Sequence, residues 1–408
     1  MNILFVCDNF PPEMGAGAAR CFEHTRRWVA AGHRVTVVCA VPNFPEGKLF
    51  EGWSNRFQSE TMAGIEVKRV WTYMAPNAGF VRRTLDQASF ALAAVARAIF
   101  LPRPDVVVAT SPHLLQAVAG YLISRVKRRP FVFELRDLWP DSIVAVGAMR
   151  ESLVIRMLRK LEYFLYRRAA MIVSLTHSFK RVLTSNGIPA SRVAVVPNGA
   201  DLELYKPGAR PETLASRLGV EGKFVAAYIG TVGMAHGLSS ILEAAERLLD
   251  RDDIRFVVVG TGAEKDDLVR EAARRGLTNV IFTGSVPKQE VPEYLKLADV
   301  ALVLLRNLPL FEQVIPSKMF EAMAVGRAII LGVRGESREI LERAGAGRAI
   351  PPADTDALVQ AIRELAAQRE QREAMAQAGR RFVCTEYDRD VLARRMLDVL
   401  ENLNPVQT

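Results

Sequence analysis

Short, almost uninterrupted apolar segments rich in valine and isoleucine recur along this chain, and the stretches between them have the apolar spacing of helices. "NILFVC" at residues 2–7, "RVTVVCA" at 34–40, "PDVVVATS" at 104–111, "PFVFELRD" at 130–137 and "AAMIVSLT" at 169–176 are of the first kind. "AARCFEHTRRWVAAG", which stops at Gly32, "LLQAVAGYLISRVK" and a run from about Ser152 to Arg168 are of the second. A strand that is apolar on both sides must be covered on both faces. Helices alternating with such strands supply the cover, which is the pattern of a parallel sheet.

The same grammar restarts after the polar stretch "LYKPGARPETLASRLGVEGK" (204–223), which reads as an interdomain connection. The strands "FVAAYIG", "IRFVVVGTG", "VIFTG", "DVALVLL" and "RAIILGV" then alternate with helical segments up to the closing helices. A chain of 408 residues is also longer than one hydrophobic core usually serves. The expectation is α/β, with two doubly wound Rossmann-like domains facing each other across a cleft. They would span residues 1–203 and 204–408, with a last helix over 379–403 packing back on the first.

Half the residues are apolar and 24% are charged, as in an ordinary soluble globular protein. The four cysteines, Cys7, Cys21, Cys39 and Cys384, form no CxxC pair or metal-ligand spacing, so they read as the reduced thiols of a cytoplasmic protein. The N-terminus lacks the basic region of a signal peptide. The nearest approach to a membrane span, residues 88–101, is short and interrupted by Arg97, where a span needs about 20 apolar residues.

The net charge of +9 is unevenly spread, with 26 Lys and Arg against 14 Asp and Glu up to residue 198, and 28 against 31 beyond it. A basic half suits an anionic surface. Nucleic acid is one such surface, but the chain has neither interleaved aromatics nor a recognised nucleic-acid module. Basic residues beside apolar runs in "VRRTLDQASFALAAVARAIF" and "SLVIRMLRKLEYFLYRR" suit lipid headgroups, and equally an amphipathic helix packed on its own sheet.

Ligands in open α/β sheets bind beyond the carboxyl ends of the strands. The first such loop, "DNFPPEMGAGAAR", sets Gly15, Ala16 and Gly17 before a helix, offering bare N–H groups to an anion or simply making a tight turn. "GTVGMAHGL" repeats the device with Gly230, Thr231, Gly233, His236 and Gly237, where His236 adds a hydrogen bond or a charge. "FELRDLWPDS" brings Glu134, Arg136 and Asp137 out of a buried strand, either as an internal Arg–Asp bridge or for use in the cleft.

In "PLFEQVIPSKMFEAMAVG" the residues Pro316, Ser317 and Lys318 precede a helix beginning near Met319. Ser317 is placed to cap it and Lys318 to reach a phosphate. Glu321 falls in the first turn, where it either complements the dipole or holds vicinal hydroxyls. Glu312 has no such helical reason to be there. Two Asp-x-Asp strings, Asp354–Asp356 and Asp388–Asp390, precede helices and read as N-caps.

Together these stretches resemble glycosyltransferase family 4, the retaining group with the GT-B fold, over nearly the whole chain. "VAVVPNGADLELYKP", "GTGAEKDDL", "NVIFTGSVPKQEVPEYLKLADVALV" and "EAMAVGRAII" follow the family in order and spacing, and "RDLWPDS", "GMAHGL" and "IPSK" are most similar to transferases of bacterial surface-polysaccharide assembly, fucosamine transferases among them. The resemblance implies a nucleotide-sugar donor, taken as a uridine diphosphate sugar, and a polyprenyl-linked or glycan acceptor. It implies no cofactor and no metal, and a place on the inner face of the cell membrane through the basic domain.

It also implies roles. Glu321 would bind the ribose. Glu312 and Gln313 would approach the transferred sugar, the Gly15–Gly17 and Gly233–Gly237 loops would face the diphosphate, and Ser285, Val286 and Pro287 would lie by the base. Lys318, Arg136 and Asp137 would join Glu312 in catalysis by front-face displacement, the leaving phosphate taking the acceptor's proton. The chain departs from the family pattern in placing eight residues rather than seven between its glutamates, in having Thr231 and His236 where a basic pair is usual, and in having Arg136-Asp137 where His-Asp is usual. A nucleotide-sugar epimerase of the same fold is the alternative reaction.

Overall fold

The structure, a computed structural model, describes residues 1–13, 15–44, 46–75, 80–145 and 150–403. The chain divides into two compact units. Unit 1 runs from Met1 to Pro197 and takes back the chain from Leu392 onward, and unit 2 runs from Asn198 to Val391.

Unit 1 is built on eight strands: β1 (Asn2–Val6), β2 (Arg34–Ala40), β3 (Gln58–Met62), β4 (Ile65–Val70), β5 (Val106–Thr110), β6 (Phe131–Leu135), β7 (Met171–Ser174) and β8 (Val193–Val195). They lie in the order β3-β4-β2-β1-β5-β6-β7-β8. All neighbours are parallel except β3 and β4, an antiparallel hairpin turned at Ala63 and Gly64 with φ of 50° and 78°, the positive values a two-residue hairpin loop needs. Strand order reverses between β1 and β5, where Ile3 pairs with Val106 on one side and with Val35 on the other.

The helices of unit 1 are α1 (Ala16–Ala30), α2 (Phe80–Ile99), α3 (Leu114–Lys127), α4 (Asp141–Ala145), α5 (Leu153–Arg168) and α6 (His177–Ser185). Residues of α2, α3 and α5 share one core cluster with the sheet, among them Phe90, Ile123 and Tyr166. On the opposite face Trp28 of α1 sits in a second cluster with Phe5 and Val37.

Unit 2 has six parallel strands: β9 (Phe224–Ile229), β10 (Ile254–Val259), β11 (Val280–Gly284), β12 (Val300–Leu304), β13 (Ala328–Gly332) and β14 (Gly347–Ala349). Their order is β11-β10-β9-β12-β13-β14, so this sheet reverses between β9 and β12. Its helices are α7 (Glu212–Leu218), α8 (Ser239–Glu246), α9 (Lys265–Arg274), α10 (Val291–Leu297), α11 (Ser317–Val325), α12 (Glu336–Ala344), α13 (Thr355–Ala367) and α14 (Arg369–Glu386).

Two expectations about the path of the chain change. The stretch 204–223 is no free connection: it contains α7, whose Leu214 and Ala215 are buried beside Val220 in a cluster with β9. The helix expected over 379–403 is two helices, because α14 ends at Glu386 and α15 spans Arg389–Glu401. Between them the backbone pairs with Ala200 instead of continuing the helix, through Ala200 N–H to Tyr387 O at 3.0 Å and Arg389 N–H to Ala200 O at 3.1 Å. From Leu392 on, α15 packs into unit 1, where Trp28 Nε1–H donates to Ala393 O at 3.0 Å.

Among the described residues no helix is long and apolar enough to cross a membrane. Asp354 caps α13 as expected, accepting from Ala357 N–H at 2.9 Å. Asp388 accepts from Asp390 N–H at 3.0 Å at the start of α15.

Candidate active site

In unit 2 the loops after β9 and β12 meet at the switch point, and the glycines explain how they fit. Gly260 and Gly262, in the loop after β10, have φ of 140° and 157°. A Cβ on Gly260 would stand 1.9 Å from Gly230 O, and one on Gly262 2.3 Å from Val232 O. The close approach lets Gly230 N–H reach Val259 O and Val232 N–H reach Thr261 O, each at 2.9 Å, which fixes the loop after β9. Gly237 also has a positive φ, 58°. Gly233 does not, and a Cβ there would make only an ordinary contact, 3.6 Å from Thr231 Cγ2.

Lys318 is the second residue of α11. Its Nζ is buried without a hydrogen-bond partner, 3.9 Å from the centroid of the Tyr228 ring and close under Gly230, whose added Cβ would come within 2.7 Å of it. Burial pushes this ammonium down to about 7, with Glu321 pulling the other way. An ammonium held by a ring face but by no anion is short of a counter-charge.

The imidazole of His236 lies edge-on to Tyr228 at 5.8 Å. Burial, and then the charge of Lys318, push it down to about 4, so His236 brings no positive charge at neutral pH. Tyr228 donates to Thr231 O at 2.6 Å, and Thr231 itself is exposed.

The segment from 309 to 321 differs from expectation in two ways. The N-cap of α11 is Pro316, with no side-chain cap bond, and Ser317 is already helical; proline carries no hydroxyl, so the first turn keeps its N–H groups free of a side-chain cap. Glu321 is therefore the fifth helical residue, past the first turn, and the dipole does not account for it. Its partner is the buried Tyr205 hydroxyl, which burial and then Glu321 hold well above the ordinary phenol range.

Glu312 is exposed in a 3-10 turn over Pro309–Gln313. Its carbonyl oxygen rests on Gly335, with φ 68°, where a Cβ would come within 2.0 Å. The Gln313 Oε1 atom is buried without a partner. Beyond β11, at the sheet edge, Ser285 and Pro287 are exposed while Val286 packs against a core cluster.

In unit 1 the loops after β1, β5 and β6 surround a cavity of ≈ 290 Å³ at the switch point. The buried Glu134 is paired, but with Arg20 at 2.9 Å rather than with a neighbour in "ELRD"; Arg20 also donates to Pro197 O and Val196 O, both at 2.9 Å. No Arg136–Asp137 bridge forms. Arg136 turns its guanidinium onto Gly17, where a Cβ would lie 2.9 Å from Nη1, and its Nε is buried without a partner. Its backbone N–H donates to Ser111 Oγ at 2.8 Å.

Asp137 is not among the cavity's lining residues; burial raises it, with the Leu138 N–H and neighbouring Ser142 opposing. Gly15, the N-cap of α1, is extended at φ 177° and open around its Cα, and Ala16 is the first helical residue.

Sequence reasoning missed four polar residues here. His113 Nδ1 lies 2.8 Å from Asp8 Oδ2, Asp8 N–H donates to Gln116 Oε1 at 2.7 Å, and Glu13 accepts from Asn43 N–H and Phe44 N–H, both at 2.9 Å. Burial raises the Glu13 carboxyl, against those N–H bonds. Tyr205 and Tyr228 were missed in unit 2 for the same reason: each acts on a residue far from it in sequence.

Two family descriptions match in chain order: "Glycosyl transferase 4-like domain" over residues 15–199 and "Glycosyl transferases group 1" over 210–382. The chain belongs to the group 1, family-4-like glycosyltransferases. Among its relatives is WcaI of Escherichia coli (strain K12), a glycosyl transferase assigned to colanic acid biosynthesis, 26% identical over 89% of this chain and 92% of that one. Another is the lipopolysaccharide 1,2-N-acetylglucosaminetransferase of Salmonella typhimurium, 26% identical over 55% of this chain and 60% of that one.

Solved structures carry the same fold. Anabaena Alr3699/HepE in complex with UDP superposes with a TM-score of 0.75 at 19% identity over 99% of this chain and 100% of that one. The sucrose-phosphate synthase of Thermosynechococcus elongatus does so at 0.77 and 16% identity over 98% of both. The two sheets of this glycosyltransferase are thus the Rossmann-like domains of the GT-B fold.

Proposed function

We propose that this glycosyltransferase moves a sugar from a uridine diphosphate donor, held in unit 2, to a lipid-linked or glycan acceptor during assembly of a bacterial surface polysaccharide. The observation that carries the reading is Lys318: a buried ammonium with no anionic partner, at an N-terminus of α11 that has no side-chain cap, beside a loop set by Gly260 and Gly262. A diphosphate brings the missing negative charge and the acceptors that the free N–H groups need. Glu321, already holding the Tyr205 hydroxyl, is placed to take ribose hydroxyls; Glu312 and Gln313 take the sugar, and the Ser285–Pro287 loop takes the base.

Chemistry follows from charge. As the glycosidic C–O bond breaks, negative charge grows on the leaving diphosphate and positive charge on the anomeric carbon. Lys318 Nζ and the N–H groups of α11 meet the first, and Glu312 the second. Removing one such preorganised donor typically costs about 3–4 kcal/mol of barrier. Front-face attack, with the leaving phosphate taking the acceptor's proton, retains configuration without a protein nucleophile.

The acceptor side of the proposal rests on unit 1. Leu92 of α2 and Leu153 and Met157 of α5 are 73%, 67% and 62% exposed, on helices that also carry Arg82 and Arg83, and Arg156 and Lys160, respectively. Exposed apolar side chains on helices that also carry cations suit an anionic leaflet, the place where a polyprenyl-linked sugar is presented.

Thermal unfolding with UDP, GDP, ADP and TDP at saturating concentration tests the donor. Ligand stabilisation grows as RT ln(1 + [L]/Kd), about 2.7 kcal/mol at a hundredfold excess over Kd. UDP is expected to raise the transition of unit 2 most; a larger rise with another nucleotide, or none with any, overturns the assignment.

A further inference from the structure

His113 and Asp8 form a pair that the donor chemistry does not use. His113 is the N-cap residue of α3, yet its side chain makes no cap bond; the ring is turned to Asp8 instead, Nδ1 to Oδ2 at 2.8 Å. Asp8 is held in turn through its backbone N–H by Gln116, whose own Nε2–H donates to Thr110 O. Both side chains are 19% exposed, withdrawn but open to the ≈ 290 Å³ cavity that Glu13, Arg83 and Arg136 also line.

A carboxylate only accepts, so the proton between the two sits on Nδ1, and the imidazole tautomer that Asp8 selects in this way presents Nε2 as an acceptor. Nothing among the described residues donates to that Nε2 or to Asp8 Oδ1. Two acceptors and an unpaired guanidinium, in a space at the lower end of small-ligand pockets, fit a ring bearing several hydroxyls: its O–H groups satisfy the acceptors and its oxygens satisfy Arg136.

We infer that His113, locked in one tautomer by Asp8, reads a hydroxyl of the sugar unit that accepts the transfer. The inference rests on the transferase reading above and assigns its acceptor subsite. Asp8 is a positioning residue, since it reaches the sugar through the imidazole it orients. His113 binds a hydroxyl other than the one attacked, so the proton given up in transfer still goes to the leaving phosphate.

The test uses the full chain and methyl glycosides of glucose, galactose, mannose and N-acetylglucosamine as probes, titrated by saturation-transfer NMR at millimolar concentration. At least one is expected to bind the wild type, and His113→Ala and Asp8→Asn to weaken it about tenfold, the usual worth of one hydrogen bond. Asp8→Asn acts by donating to Nδ1, which moves the ring proton to Nε2 and turns the acceptor into a donor. His113→Gln, whose amide can donate to Asp8 and accept from the sugar, is expected to keep binding within about threefold.

Near-UV circular dichroism and the UDP-induced thermal shift, expected unchanged in all three variants, report folding. The inference is overturned if no glycoside binds the wild type, if His113→Ala and Asp8→Asn bind as tightly as the wild type, or if His113→Gln loses as much as His113→Ala. Failure of UDP to shift the wild type would instead count against the donor reading.

Discussion

Lys318→Met separates what the ammonium costs the free enzyme from what it does for the donor. Methionine keeps the length and apolar stem of lysine and removes the charge. Burial takes the Lys318 ammonium from its ordinary 10.5 down to about 7. At about 1.4 kcal/mol per pH unit, that is a penalty of about 3–5 kcal/mol wherever the group stays protonated. Between pH 7 and 10.5 the folded chain binds fewer protons here than the unfolded chain, so wild-type stability rises with pH across that window.

The methionine variant has no such slope. Its advantage is full below pH 7 and shrinks by about 3 kcal/mol on going to pH 9. Urea unfolding at pH 6, 7.5 and 9, followed through the transition that UDP shifts, measures the gap; that transition is the one to follow because two units need not unfold as one. The same variant should lose the UDP-induced shift, and turnover should fall 10²–10³-fold. A stability gap that is absent, or equal at pH 6 and pH 9, refutes the buried unpaired ammonium, and unchanged turnover refutes its role.

Gly260→Ala sets a Cβ against Gly230 O, at a distance of 1.9 Å on a backbone with φ 140°. It should destabilise unit 2 by at least about 3 kcal/mol in denaturant unfolding and abolish the UDP shift, while glycoside binding by unit 1 persists. Leu92→Asp with Met157→Asp changes two well-exposed side chains, so stability should stay within about 0.5 kcal/mol per site. Flotation with anionic liposomes at low salt should drop sharply in that double variant, and high salt should release the wild type. Wild-type protein left in the soluble fraction at low salt would dismiss the membrane face.

What could be read from the sequence was local. Valine- and isoleucine-rich runs gave the central strands because a strand buried on both faces carries the signal by itself. The hairpin β3–β4 stayed hidden because "QSETM" is polar at the sheet edge, and because β4 buries Arg69, fully enclosed and bonded to Glu60, where an apolar residue would have marked a strand. The break between α14 and α15 was equally invisible: it is made by Ala200, 187 residues before Tyr387, and not by a glycine or proline in the helix. In the same way Ser317 looked like a cap because serine usually is one, while the chain had turned a residue earlier at Pro316.

The candidate site divides along the same line. Lys318 and Glu321 were legible because one helix start carries both, although the reason for Glu321 was not, since Tyr205 lies 116 residues away. Asp8 and His113 are each unremarkable in sequence: one follows a strand by two residues, the other by three. They meet because strand order reverses between β1 and β5, so that two carboxyl-end loops about a hundred residues apart become neighbours at 2.8 Å. In a doubly wound sheet the switch point is set by which strand lies beside which, and no local pattern encodes that. Polar residues just past a strand end are therefore informative only in pairs across the switch, and it is as such a pair that His113 and Asp8 acquire a chemistry neither has alone.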